Sequence, residues 1–381
     1  MISIANRLHS VEEYYFSKKL REVRSLQANG AAIINLGIGS PDLKPPTSVV
    51  EALSNSLLDS SARKYQSYQG LPAFRNQISA FYKTHYKLSL NPQDEILPLM
   101  GSKEGIMHIS MAYLNEGDAV LIPNPGYPSY SSVCKLVGAD PVYYDLLSDN
   151  NWQPDLKALE QLDLEAIKLM WVNYPHMPTG AKADRGILRA LIDFGKSHNI
   201  LIVNDNPYSF ILNDNPTSIF NIEGARDTAL ELNSLSKSFN MAGWRVGMLL
   251  GAANHIENII KVKSNMDSGM FYGVQKGAIE ALKVSDKWFT DLNIIYQKRR
   301  ENIWQLASAL GCSFDKNTVG MFVWAKLPKG VRSEDFIDQI LKKHHIFIAP
   351  GSIFGSNGSG YIRFSLCAKE EEINEALKRI L

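Results

Sequence analysis

Apolar and polar positions follow two different rhythms along the chain. Between about residues 45 and 255, short apolar runs recur: AVLIP (119–123), PVYYDL (141–146), IKLMWV (167–172), ILIVND (200–205), TALEL (228–232) and VGMLL (246–250). Several are apolar at nearly every position, as expected of strands covered on both faces. Between them, apolar residues return at helical spacing; Ile187, Leu188, Leu191, Ile192 and Phe194 do so within ADRGILRALIDFGKSHN (183–199). Strand–helix alternation of this kind predicts an α/β fold with a largely parallel sheet.

The rhythm changes after about residue 265. A long helix is predicted over 286–310, then a strand MFVWAKL (321–327) and a helix over 333–344. Short strands IFIA (346–349) and YIRFSL (361–366) and a terminal helix complete a smaller α+β unit. The first 44 residues read as helical and then extended, and are expected to pack against it. The predicted division is a large α/β domain over 45–260 and a small domain made of 1–44 and 261–381. The chain of 381 residues exceeds the ~250–300 at which one core usually splits, which agrees with two domains.

Composition narrows the function classes. A formal net charge of +1 offers no global field to recruit nucleic acid or an acidic membrane, so neither partner is expected. Cys134, Cys312 and Cys367 lie far apart without metal-ligand spacing, which suits buried thiols in a reducing compartment and no metal. His108 and His198 read as surface or packing residues. No apolar run approaches the ~20 residues of a membrane span. MISIANRLHSVEEYYFSKKL mixes charges without an apolar core, so no signal peptide is read and a cytoplasmic location is expected.

Candidate chemistry gathers at strand ends. In SLSKSFNMAGWRVG (234–247), Lys237 sits among serines with Arg245 eight positions on. The stretch is either a solvated loop or a Schiff-base lysine with Ser and Arg for a phosphate, whose oxygens suit the guanidinium fork. GSKEGIMHISMAYL (101–114) opens a helix whose free N–H groups at Ser102 and Lys103 form an anion site. Asp205 in VNDNPYSF (203–210) ends a buried strand; it caps a turn or pairs with a protonated heterocyclic nitrogen, with Tyr208 as a second contact. Arg363 in YIRFSL needs an anion, either a structural acid or a substrate carboxylate. GIGSPD (37–42) is not a Rossmann fingerprint, because Asp42 replaces its third glycine and Pro41 breaks the following helix.

Taken in order, LGIGSPD, KYQSYQGLPAFR, GSKEG, PNPGYP, NYPHMPTG, DNPY, SLSKSFNMAGWRVG and YIRFS resemble the class I/II aminotransferases. The resemblance runs from about residue 30 to the C-terminus, and GSKEGI and SNMDSGMFY point to the subgroup of LL-diaminopimelate and alanine aminotransferases. It implies the pyridoxal-phosphate (PLP) transferase fold of type I, with a mostly parallel seven-stranded sheet in the large domain. It also implies PLP held as an aldimine on Lys237, and transfer of an α-amino group from an L-amino acid to a 2-oxoacid through Schiff-base and quinonoid intermediates. β-Lyases, decarboxylases and synthases use the same residues, and a non-catalytic sensor on this fold is a further alternative.

Position by position, the resemblance assigns Asp205 to the ring nitrogen, Tyr208 to the ring oxygen and Tyr127 to the ring face. The phosphate falls to Ser102, Lys103, Ser234 and Arg245, and the substrate carboxylate to Arg363 and the backbone of Gly39. Tyr65 in KYQSYQG would reach the phosphate of a partner subunit, implying a homodimer. In NYPHMPTG, Asn173 opens the cofactor loop, but Met177 stands where the family has an asparagine that donates to the ring oxygen. Methionine offers no strong donor, so altered cofactor electronics are expected, unless Asn173 or His176 substitutes.

Overall fold

The computed structural model describes residues 2–381. Its large sheet has seven strands: β1 (Ile96–Leu99), β2 (Ala119–Asn124), β3 (Asp140–Asp145), β4 (Ile167–Val172), β5 (Leu201–Asp205), β6 (Ala229–Ser234) and β7 (Gly247–Leu250). Their order is β1-β7-β6-β5-β4-β2-β3, and β7 alone runs antiparallel to its neighbours. Strand β4 is buried at five of its six positions, and β2 and β6 at all six, as expected of strands covered on both faces.

Strand β1 was not among the predicted strands, because ILPL is short and carries Pro98. The structure shows why proline is tolerated: β1 is an edge strand, paired through β7 alone, and a missing N–H can face outward there.

Helices cover both faces. Helix α1 (Tyr15–Ala28) lies near the N-terminus, and α2 (Ser102–Tyr113) packs against one face of the large sheet, its Ile106 and Ile109 meeting Leu232 and Leu249. Helix α3 (Arg185–His198) starts where the Asp184 side chain accepts from the Ile187 N–H, a cap worth about 1 kcal/mol. It buries Leu188, Leu191, Ile192 and Phe194, the predicted stripe, on the opposite face.

A second core forms around a four-stranded antiparallel sheet. Its strands are β8 (Ser313–Phe314), β9 (Phe322–Lys326), β10 (Ala349–Pro350) and β11 (Tyr361–Ser365), in the order β10-β11-β9-β8. The IFIA run does not form one strand. Ile346–Phe347 pairs in parallel with Ile34–Asn35, while Ala349 pairs with Arg363 in the four-stranded sheet; the chain changes sheets at the buried Ile348. Phe16, Val23, Ile33 and Leu36 join this second core, so the N-terminal segment packs on it.

Beyond residue 260, packing follows the large sheet for some distance. Met270, Ala278, Ile279, Leu282 and Phe289 lie in its core, and helix Tyr272–Ala281 packs on Thr47–Ser56. The long helix Asp286–Ala309 then passes from that core at Phe289 into the second one at Leu292, Tyr296 and Ile303. Among the described residues, no helix is long and apolar enough to cross a membrane.

Candidate active site

Parallel strands end on one edge of the large sheet, and side chains there converge on a cavity of about 540 Å³ between the two cores. Asp205 ends β5, Asn173 follows β4, Tyr127 follows β2 and Ser234 ends β6. Lys237 lies in the short helix Leu235–Ser238 just after β6, and Arg363 enters from β11 of the second sheet. Gly39, Ser102, Lys103, Met177, Tyr208 and Arg245 also line the cavity. Tyr65 does not: it is 91% exposed on the outer surface.

The electrostatics are unusual for buried groups. Asp205 is 6% exposed; its Oδ2 accepts from the Tyr130 hydroxyl at 2.8 Å, and its Oδ1 has no partner. Burial pushes its carboxyl up to about 6, against the lowering influence of the Tyr130 bond and the Lys237 charge. An orphaned buried oxygen of this kind calls for a proton donor, and a protonated heterocyclic nitrogen would fit it. The Lys237 ammonium donates to the Gly39 carbonyl. Burial lowers its pKa; Cys367 and Asp205 oppose the shift, while Arg363 and Arg245 reinforce it.

Arg363 is 4% exposed, and among the described residues no carboxylate pairs with it. Its guanidinium lies 4.0 Å from the Phe322 ring centre and 4.7 Å from that of Phe354. It donates through Nη2 to the Gly37 carbonyl at 2.7 Å and through Nη1 to Met177 Sδ at 3.3 Å, leaving Nε without a partner. Desolvation pulls its pKa down to about 10. A cation held dry without an acid is prepared for an incoming carboxylate.

Ser102 and Lys103, the first residues of α2, line the cavity with the free N–H groups of a helix start. Gly101 caps it at φ +88°, and a side chain there would collide with the Arg245 guanidinium. Gly247 passes so close that an added Cβ would lie 2.6 Å from the Ser102 nitrogen. Ser234 Oγ is 2.9 Å from Ser236 Oγ, and both serines line the same corner with Arg245. Helix N-terminus, two hydroxyls and a guanidinium suit a phosphate.

The NYPHMPTG loop is braced from within. Asn173 donates through Nδ2 to the Asp205 carbonyl, and its Oδ1 accepts from the Met177 N–H at 2.8 Å. His176 Nδ1 lies 2.7 Å from Thr179 Oγ1, and burial drops the imidazole's pKa to about 3, so it stays neutral. His176 is not part of the cavity lining, and Met177 turns its sulfur to Arg363.

Sequence reasoning missed several lining residues, Ser236, Phe322 and Phe354 among them. Tyr130 lies three positions beyond Tyr127 and stacks on Trp171 at 4.8 Å while holding Asp205; the i, i+3 spacing on a helix was the available signal. The N-terminal residues Tyr14, Phe16, Ser17 and Leu20 form another wall, for which the sequence carries no motif. A larger cleft of about 1000 Å³, lined by His85, Asp184 and Asp315 among others, contains none of Lys237, Asp205 and Arg363; chemistry rather than size identifies the site.

The family model described as "Aminotransferase class I and II" matches residues 31–380. A protein of Oleidesulfovibrio alaskensis named LL-diaminopimelate aminotransferase is 38% identical, the match covering 99% of this chain and 98% of the relative. A protein of the same name from Halothermothrix orenii is also 38% identical, over 99% and 97%. Among solved structures, substrate-bound BacF from Bacillus subtilis superposes with a TM-score of 0.94 at 35% identity, covering 100% of this chain and 97% of that one. An aminotransferase from Staphylococcus aureus gives 0.90 at 30% identity, over 99% and 98%.

Proposed function

The chain belongs to the class I and II aminotransferases, PLP-dependent enzymes of amino-group transfer, and from that premise we propose that the cavity around Lys237 passes the α-amino group of an L-amino acid to a 2-oxoacid. The observation that carries this reading is the coexistence, in one cavity, of a depressed lysine, a buried carboxylate with an orphaned oxygen and an arginine without an acid. Bound PLP would supply an aldehyde that condenses with amines and a cationic ring that accepts the electron pair left at the donor's Cα.

The chain's own residues do the rest. Lys237 Nζ would hold the cofactor, and a lysine kept below its usual pKa is suited to take the proton from the donor's Cα. Asp205 Oδ1 would pair with the protonated ring nitrogen, and Tyr130 fixes the carboxylate. Tyr208 would donate to the ring oxygen and Tyr127 would cover the ring face. The N–H groups of Ser102 and Lys103, the Ser234 and Ser236 hydroxyls and Arg245 hold the phosphate. Arg363 and the Gly39 backbone orient the donor by its carboxylate. Met177 supports the clamp through its sulfur instead of donating to the ring oxygen, so that oxygen relies on Tyr208.

We divide the chain into a large domain from residue 45 to about 285 and a small one from 1–44 and the remainder, since packing past 260 favours the large sheet. The proposed assembly is a homodimer in which Tyr65 reaches the partner's phosphate site. Exposed Leu57, Leu58, Tyr68, Met266 and Phe271 support it, because they lie on the segments that adjoin Tyr65 and would be covered. Three free, buried cysteines support a cytoplasmic location.

Borohydride reduction of the PLP-loaded protein, followed by peptide mapping, tests the assignment. The reduced cofactor mass is expected on Lys237; its appearance on another lysine would contradict the reading.

A further inference from the structure

GIGSPD (37–42) is no nucleotide fingerprint, yet its backbone touches two cations of the cavity. The segment leaves the second core at Leu36, whose N–H donates to the Phe347 carbonyl at 2.8 Å and whose carbonyl accepts from the Ser365 N–H at 2.7 Å. Asn35 Oδ1 then accepts from the N–H groups of Gly37 and Ile38, at 3.1 and 3.2 Å, and turns the chain. The Gly37 carbonyl accepts from Arg363 Nη2 at 2.7 Å, and the Gly39 carbonyl accepts from the Lys237 ammonium. Beyond them, the Lys44 carbonyl accepts from Asn240 Nδ2 at 3.1 Å. A single strap, residues 35–44, therefore runs past both Arg363 and Lys237.

Two joints of this strap are soft. A side chain at Gly37 would lie 2.8 Å from the Phe347 ring, and one at Gly39 would lie 2.5 Å from the Phe322 ring, so close packing demands glycine at both. The link from Gly39 to Asp42 is stiffer. Pro41 fixes its own φ and holds Ser40 in extended backbone. A displacement of Asp42 is thus passed on to the Gly39 carbonyl.

Asp42 is gripped by Arg299, which reaches it from the long helix Asp286–Ala309. Nη1 donates to Oδ1 at 2.7 Å and Nη2 to Oδ2 at 2.9 Å, a paired contact that fixes orientation as well as distance. Nη1 also donates to the Leu366 carbonyl at 3.0 Å, just past β11, the strand that carries Arg363. The Arg299 side chain is 5% exposed and that of Asp42 22%, so the guanidinium is stranded if its acid is removed.

Resting on the carboxylate clamp of the proposed amino-transfer site, we propose that Asp42 and Arg299 are positioning residues. Their pair holds the strap against β11, so that Arg363 and the Gly39 backbone receive the donor's carboxylate already in place. Neither residue lines the cavity; both act through the strap. Removing one partner would free the strap and also strand a charge, whereas replacing both by apolar residues does the first alone.

Calorimetry on the PLP-loaded protein, with 3-phenylpropanoate and glutarate as unreactive carboxylates, tests this in wild type, Arg299→Lys and the double variant Asp42→Leu with Arg299→Met. Urea unfolding of the same proteins reports their stability. The double variant is expected to keep most of the wild-type stability, yet to bind whichever carboxylate the wild type binds roughly tenfold more weakly. Arg299→Lys keeps the charge and loses the fork, and is expected to weaken binding by roughly threefold or more. In band discharge by an L-amino acid, the half-saturating donor concentration should rise in step, with the saturating rate changing less. Wild-type affinity in a stably folded double variant, or a change confined to the saturating rate, would overturn the proposal. If the double variant does not fold, wild-type affinity in Arg299→Lys overturns it, and a wild type that binds neither carboxylate does so too. Failure of every amino acid to discharge the band would instead refute amino transfer, and the calorimetry would still decide the role of the pair.

Discussion

Replacing Asp205 by asparagine should make the cofactor-free protein more stable at neutral pH while weakening its hold on the cofactor. In the folded chain the carboxyl titrates near 6, against 3.8 for the ordinary group, because burial disfavours the charged form. The sign follows from proton counts. As pH rises through about 4, the unfolded chain releases this proton while the folded one keeps it, so stability falls with pH until the folded group ionises near 6. At about 1.4 kcal/mol per pKa unit, the full penalty above pH 6 is about 3 kcal/mol, or roughly 5 °C in Tm for a chain of this size. The amide of the Asp205→Asn variant carries no such titration. Tm should be measured for cofactor-free wild type and Asp205→Asn from pH 4 to 8. The wild type should fall relative to the variant across the window from 4 to 6 and run parallel above it. Taking the difference cancels the other carboxylates. Adding PLP should then stabilise the wild type more than the variant, since only the carboxylate can pair with a ring proton. Parallel pH profiles over the whole range would refute the reasoning.

Met177→Asn restores a donor beside the ring oxygen; the pH midpoint of the cofactor's visible band should fall by up to about one unit, and an unmoved midpoint in a spectrophotometric titration would contradict it. Under α2 lies a buried cluster: Lys263 Nζ sits 2.6 Å from Asp267 Oδ2, His108 Nε2 lies 3.1 Å from Glu104 Oε1, and ligating atoms of Glu104, His108 and Asp267 lie within 4.8 Å of one another. Lys263, with a side chain fully buried, already supplies the positive charge there. Lys263→Met should therefore cost about 3–5 kcal/mol in urea unfolding, and Lys263→Met with Asp267→Leu should recover most of it.

The chemistry of the site was legible wherever it travelled in short motifs on strand ends. Lys237 and Asp205 sit where an apolar run gives way to a turn, a junction that a single sequence marks well. His108 was read as a surface or packing residue; it is buried beside Glu104, and the neighbouring Asp267 comes from more than 150 positions away, a proximity that periodicity does not encode. Strand β1 was hidden by Pro98, whose tolerance depends on being at an edge that only the assembled sheet defines. The IFIA run reads as one strand locally, yet two different sheets compete for its halves. The N-terminal wall is the least legible part: Tyr14, Phe16 and Leu20 look like an ordinary helix start until the second core brings them over the cavity. Met177 stood out in the sequence as a departure, but its contact with Arg363 required the fold.

Lys237 is proposed as base and anchor of an amino-transfer site, and a single half-reaction tests that role. PLP-loaded protein is mixed with excess L-amino acid, and the visible band is followed before and after addition of a 2-oxoacid. The wild type should lose the band and recover it, releasing one 2-oxoacid per site in the first step. Lys237→Ala, able to bind cofactor through Asp205 and the phosphate corner, should show neither change on the same timescale. An unresponsive wild type, or a Lys237→Ala protein that cycles at the wild-type rate, would contradict the account.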